Sequence, residues 1–119
     1  MDIKQAVKTV LANYANFQGR SGRPEYWWWV LAYLVAYIAV YLLGGIVGAG
    51  EILASIVAIA LLVPNVAVSV RRFHDIGKSG WWCLLFLVPI VNIIAWLFLF
   101  TKPSDGPNKY GEGPLAAAA

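Results

Sequence analysis

Residues 26–48 read YWWWVLAYLVAYIAVYLLGGIVG, 23 positions in a row without a charged side chain. A helix needs roughly 20 predominantly apolar residues to cross about 30 Å of hydrocarbon, so this run is long enough to span a bilayer. Trp27, Trp28 and Trp29 open it, where amphipathic rings favour the membrane–water interface. Two further apolar runs follow, at 52–70 and 81–100. Inside a bilayer a lone strand would leave its backbone groups unpaired, and three runs are too few for a closed barrel. The sequence therefore predicts an all-α integral membrane protein with three transmembrane helices.

Composition points the same way. The chain of 119 residues holds one membrane domain, 1–119. It is 61% hydrophobic and 13% charged, about half the charged share of soluble domains, which is too little charge to clothe a water-facing globule. The formal net charge is +3, and the charges gather at the ends of the apolar runs. That distribution favours acidic phospholipid as a partner over nucleic acid, whose binding modules carry a basic stripe on a soluble fold. Cys83 stands alone inside an apolar run and reads as a small packing residue. With a single His there is no Cys/His framework for a metal, and no cofactor motif is present. The N-terminal region lacks the layout of a cleavable signal peptide, because its first apolar run starts late and is too long.

Working outward from the first run, residues 2–17 repeat with helical period. Ile3, Val7, Val10 and Tyr14 form a stripe flanked by Ala6, Leu11 and Phe17, with polar residues elsewhere. This predicts an amphipathic interfacial helix lying in the headgroup region, parallel to the membrane. Gly19 and Gly22 break it, and Pro24 suits the first turn of the next helix. The short turn Gly48-Ala49-Gly50-Glu51 predicts an antiparallel hairpin between 26–48 and 52–70. Pro64 and Asn65 interrupt the second run and predict a kink. Pro89 and Asn92 sit mid-way along the third, and the polar tail 101–119 is rich in breakers.

Seven of the nine Lys/Arg residues (Lys4, Lys8, Arg20, Arg23, Arg71, Arg72 and Lys78) lie before the first run or between the second and third. The positive-inside rule places the N-terminus and loop 71–80 in the cytoplasm and, with three full crossings, the tail outside. The alternative is that Pro89 and Asn92 break the third run into a shallow re-entrant hairpin.

Two segments on the basic side combine arginines, a carboxylate, turn glycines and tryptophan: 17–27, FQGRSGRPEYW, and 71–82, RRFHDIGKSGWW. The topology brings both to one face, so Arg20 or Arg23 can pair with Asp75, and Glu25 with Arg71 or Arg72. In the plain reading these are stop-transfer charges and interfacial anchors, salt-bridged to fix helix packing. In the functional reading Arg20, Arg23, Arg71, Arg72, His74 and Lys78 bind an anion, a lipid headgroup or a partner's acidic segment, with Glu25 and Asp75 orienting them. Guanidinium groups match phosphate bidentately, and each Lys/Arg near an acidic leaflet contributes about 1 kcal/mol.

Enzymatic readings fail on spacing. Gly77-Lys78-Ser79 resembles the end of a P-loop, but the glycine required five positions earlier is Arg72. His74 and Asp75 are adjacent, which rarely gives triad geometry, and one His is too few for zinc. The chain is thus not expected to be an enzyme. Tyr33, Tyr37 and Tyr41, and the Gly44/Gly48 pair, read as helix–helix packing. No ionisable Asp, Glu, Lys, Arg or His lies within any run, which argues against a proton or ion pump. An oligomeric channel or transporter component is the second functional class, with a homo-oligomer or another membrane protein as partner. A lipid-directed enzyme is the third.

Taken together, the Phe17…Gly19-Arg20…Arg23…Tyr26-Trp27 segment, Pro64, the Arg71-Arg72-Phe73-His74-Asp75…Gly77…Ser79-Gly80-Trp81-Trp82 run, Pro89 and the tail run Gly106-Pro107-Asn108…Tyr110-Gly111 resemble the small bacterial inner-membrane proteins of the YhaH type, grouped as domain of unknown function 805. The resemblance covers nearly the whole chain. It implies a small multi-span protein of the bacterial inner (plasma) membrane and supplies no activity. A tail motif that belongs with the other two would fit best if all three met on one face.

Overall fold

The computed structural model describes residues 1–114 and contains, among them, only helical elements apart from one isolated bridge between Asn108 and Gly111. The last five positions of the tail 101–119 lie outside the described residues. In chain order the helices are α1 (Ile3–Ala12), α2 (Arg23–Ile46), α3 (Gly50–Ala60), α4 (Leu62–Asp75), a 3₁₀ segment (Gly80–Leu87) and α5 (Pro89–Thr101).

α1 begins at a capping box, in which Asp2 accepts from the Gln5 N–H at 2.8 Å and Gln5 accepts from the Asp2 N–H at 3.0 Å. It ends sooner than the expected 2–17 helix. Asn13 donates to the Thr9 carbonyl at 2.8 Å and Asn16 to the Asn13 side chain at 3.0 Å. These local bonds compete with continued helix. Ala6 and Val10 are buried, and Val10 joins a core with Tyr26, Trp29, Val68, Phe73 and Leu99. The predicted stripe is therefore divided: its centre packs on protein, while Ile3, Leu11, Tyr14 and Phe17 remain exposed.

α2 carries Pro24 in its first turn. Its 24 residues make a rod of about 36 Å, long and apolar enough to cross a bilayer. A Schellman motif ends it. Gly48 is left-handed (φ 76°), Ala49 N–H bonds the Gly44 carbonyl at 2.9 Å, and Gly48 N–H bonds that of Gly45 at 3.2 Å. The hairpin to α3 follows as expected. Of the Gly44/Gly48 pair, only Gly44 packs on the neighbouring helix, against Gly50 and Leu53; Gly48 makes the turn.

The expected second span, 52–70, is two helices bent by 47° with the break at Leu61, and it continues to Asp75. The cause is Pro64, which has no N–H to give the Ala60 carbonyl four residues back. The Tyr14 hydroxyl donates to that carbonyl instead, which ties the end of α1 to the kink. The bent pair is long enough to serve as one broken span.

The third run departs most from expectation. Val88 is extended (ψ 116°), as a residue preceding proline tends to be, so 81–100 is not one helix. The 13 residues of α5 reach about 20 Å, short of the hydrocarbon thickness. Its two ends also lie together. Gly80 rests on Val70, while Trp27 donates to the Phe100 carbonyl at 2.9 Å and Arg72 to that of Leu99 at 2.7 Å. The chain therefore leaves the α4 end of the molecule and returns to it, the path that the hairpin alternative expects.

A test of the α2–α3 hairpin follows from its glycines. A Cβ at Gly50 would fall on the Tyr41 carbonyl, whereas one at Gly45 meets nothing within 4 Å. Gly50→Ala is expected to cost about 1–3 kcal/mol in detergent unfolding; Gly45→Ala is expected to cost nothing. Equal effects would remove the tight approach.

Candidate functional site

The charged residues singled out in the sequence converge where α2 begins, α4 ends and the tail returns. Arg20, Arg71, Arg72 and Asp75 are fully buried, Glu25 is 1% exposed and His74 8%. The cluster forms because α4 stays helical through Asp75 and then stops in a second Schellman motif. Gly77 is left-handed (φ 79°), and Lys78 N–H bonds the Phe73 carbonyl at 2.8 Å. The segment before α2 is pinned alongside by Ser21 N–H to the Arg71 carbonyl at 3.0 Å.

Asp75 is the hub. Its Oδ1 accepts from Arg20 Nε at 3.0 Å, and its Oδ2 accepts from Arg72 Nη1 at 2.8 Å and from the Ser104 hydroxyl. Its own carbonyl accepts from Asp105 N–H at 2.7 Å. Arg20 spends its remaining donors on the carbonyls of Asp75, Asp105, Gly106 and Gly111, so all five of its N–H groups are used inside the protein. Arg72 also bonds the carbonyls of Leu99 and Lys102.

Arg71 forms a second centre. It reaches Glu25 Oε2 at 3.3 Å, Ser21 Oγ at 2.9 Å and the carbonyls of Asn13 and Asn16 at 3.1 and 2.7 Å. Ser21 in turn donates to Glu25 Oε2 at 2.8 Å. Glu25 Oε1 is the buried side-chain oxygen left without a partner among the described residues. Three guanidinium groups thus face two carboxylates, and the excess positive charge is spread over backbone carbonyls.

His74 faces the tail. Its Nδ1 lies 2.9 Å from the Gly19 carbonyl and, because a carbonyl can only accept, Nδ1 carries the proton. Its ring stacks on Tyr110 with centroids 3.9 Å apart and planes within 3°. Asn108 Nδ2 donates to the His74 carbonyl at 3.1 Å.

Arg20 pairs with Asp75 and Arg71 with Glu25, two of the pairs open to sequence reasoning. Arg23 and Lys78 lie apart from the cluster and are exposed. Sequence reasoning missed Ser21, Ser104 and Tyr110, and the tail carbonyls that fill Arg20; only the tail run 106–111 hinted at them. Arg20, Arg71 and Arg72 form no surface, so as placed they cannot meet a headgroup. Chemically, the arrangement is a cross-brace joining the end of α1, the start of α2, the end of α4 and the tail.

A helical protein with one long apolar helix and shorter ones, braced at one end by an Arg/Asp cluster, is what the fold and site define. The family model for a protein of unknown function, DUF805, matches residues 14–112, and this chain belongs to that family. It is 38% identical over 111 residues to the inner membrane protein YhaH of Escherichia coli K12, covering 88% of this chain and 92% of that one. It is 34% identical over 108 residues to the inner membrane protein YhaI of the same strain, covering 89% and 92%. A shorter match, 33% over 84 residues, is to the uncharacterized protein YiiR, of which it spans 53%. These relatives support an inner-membrane location. No solved structure matches the chain.

Removing one partner of a buried ion pair strands the other charge, at a cost of about 3–5 kcal/mol. Asp75→Asn is expected to destabilise the protein by that order in detergent unfolding and to make the tail susceptible to protease. Lys78→Ala, on the surface, should change stability by no more than about 0.5 kcal/mol. Equal, small effects would contradict the brace.

Proposed function

We propose that this is a non-enzymatic binding or scaffold protein of the bacterial inner membrane, whose braced end rests on acidic lipid headgroups. The observation that supports this is the division of its cations. While three arginines are consumed internally, Lys4, Lys8, Arg23, Lys78, Lys102 and Lys109 are exposed. Their elements are joined to the braced end: α1 through Arg71 and through Trp28, which donates to the Met1 carbonyl, and the tail through Arg20 and Arg72. Exposed acids there are Asp2, Asp105 and Glu112, whereas Glu51 marks the opposite end.

Exposed Trp27, Trp28, Trp81 and Trp82 accompany these cations, as interfacial anchors do. On the positive-inside rule this end is cytoplasmic. Of the residues expected to touch an anion, Arg23 and Lys78 keep that role in this reading. Arg20, Arg71, Arg72, Glu25 and Asp75 hold the shape that presents them.

The test is native mass spectrometry of protein released from nanodiscs of phosphatidylcholine doped with phosphatidylglycerol or cardiolipin. The protein should retain the anionic lipid in excess of its share. Replacing Lys4, Lys8, Arg23, Lys78 and Lys102 together by Gln should remove most of that excess, each charge contributing about 1 kcal/mol, without loss of helicity. Undiminished enrichment in the folded variant would overturn the reading.

A further inference from the structure

A second feature lies deeper than the cluster and takes no part in it. α2, α4, the 3₁₀ segment and α5 line a cavity of about 840 Å³ that is open on one side, within the roughly 300–1,000 Å³ of small-molecule sites. Along α2 it extends from Tyr26 to Leu34, a rise of about 12 Å. That is less than half of the roughly 30 Å hydrocarbon layer, so the cavity fits within one leaflet. Its walls are largely aromatic and aliphatic, and no charged side chain lines it.

Two asparagines interrupt the apolar wall, and each has spent one end of its amide. Asn65 Oδ1 accepts from Trp29 Nε1 at 2.7 Å, and Asn92 Nδ2 donates to the Phe86 carbonyl at 2.8 Å. Asn65 Nδ2 and Asn92 Oδ1 have no protein partner among the described residues. Unpaired polar groups at membrane depth are costly, so the two amides offer a donor and an acceptor to an occupant, beside the mutually bonded hydroxyls of Tyr26 and Ser69 in the same wall. A charged occupant would find no countercharge, and a plain hydrocarbon would leave both amides unmet.

We propose that this cavity binds a single uncharged lipid, an acyl or isoprenoid chain bearing a carbonyl or hydroxyl group that meets Asn65 and Asn92. A reporter is built in, because the chain's sole thiol, Cys83, is half-buried in the cavity wall. In phosphatidylcholine nanodiscs, added dioleoylglycerol or decylubiquinone should slow the reaction of Cys83 with N-ethylmaleimide by about tenfold, the protection that nine-tenths occupancy gives. Protection by the first alone assigns a glycerolipid, by the second alone an isoprenoid quinone, and by both a general uncharged-lipid site. Lipid counted per protein by native mass spectrometry makes the same comparison independently of thiol reactivity. Leu34→Trp should fill the cavity and abolish protection. Asn65→Leu with Asn92→Leu should weaken it at least severalfold while leaving helicity intact. The proposal is overturned if neither probe binds, if phosphatidylglycerol protects equally well, or if the double Leu variant binds as tightly as the wild type.

Discussion

The fold is organised around one buried carboxylate. Asp75 joins Arg20, which precedes α2, to Arg72 on its own helix, and through them the tail. Taking these charges out of water is expensive, and the cost is offset only when every donor finds an acceptor. Arg20 meets that condition with all five of its N–H groups. Backbone carbonyls supply most of the acceptors, so the guanidinium groups impose positions on main chain rather than on particular side chains.

That constraint explains features which look unrelated. The tail must return to the α4 end because Arg20 and Arg72 need the carbonyls of residues 102–111. α5 must be short and must double back, because Arg72 and Trp27 hold its last carbonyls beside the first turn of α2. α1 must stop near Asn13, whose carbonyl Arg71 takes. The Pro64 kink, with Tyr14 satisfying the freed Ala60 carbonyl, brings the same elements together from the membrane side. Cations left over from this construction of the interior, Arg23 and Lys78 among them, face outward.

Much of this was legible in the residues. The 26–48 run, the glycine turn after it and the pairing of like-placed charges across two segments follow from periodicity, punctuation and topology. Pro64 announced a kink, although the bend falls at Leu61, three residues earlier, because the bond that proline abolishes belongs to the turn before it. Pro89 marked a break without revealing its direction. The depth of burial of Arg20, Arg71 and Arg72 could not be read, since their main partners are backbone carbonyls and every residue type carries one. For the same reason the tail reads only as a polar stretch rich in breakers, although Tyr110 stacks on His74 and the carbonyls of Gly106 and Gly111 accept from Arg20.

The brace requires the tail and the arginine motifs to share one side of the membrane, opposite the 48–51 turn. Single cysteines at Glu51, Lys78 and Glu112, in a Cys83→Ser background, can be labelled in intact cells with a membrane-impermeant thiol reagent. Positions 78 and 112 should both be protected, and position 51 should label. Labelling of 112 together with 51, while 78 stays protected, would put the tail across the bilayer from Arg20 and Asp75 and would contradict the brace outright.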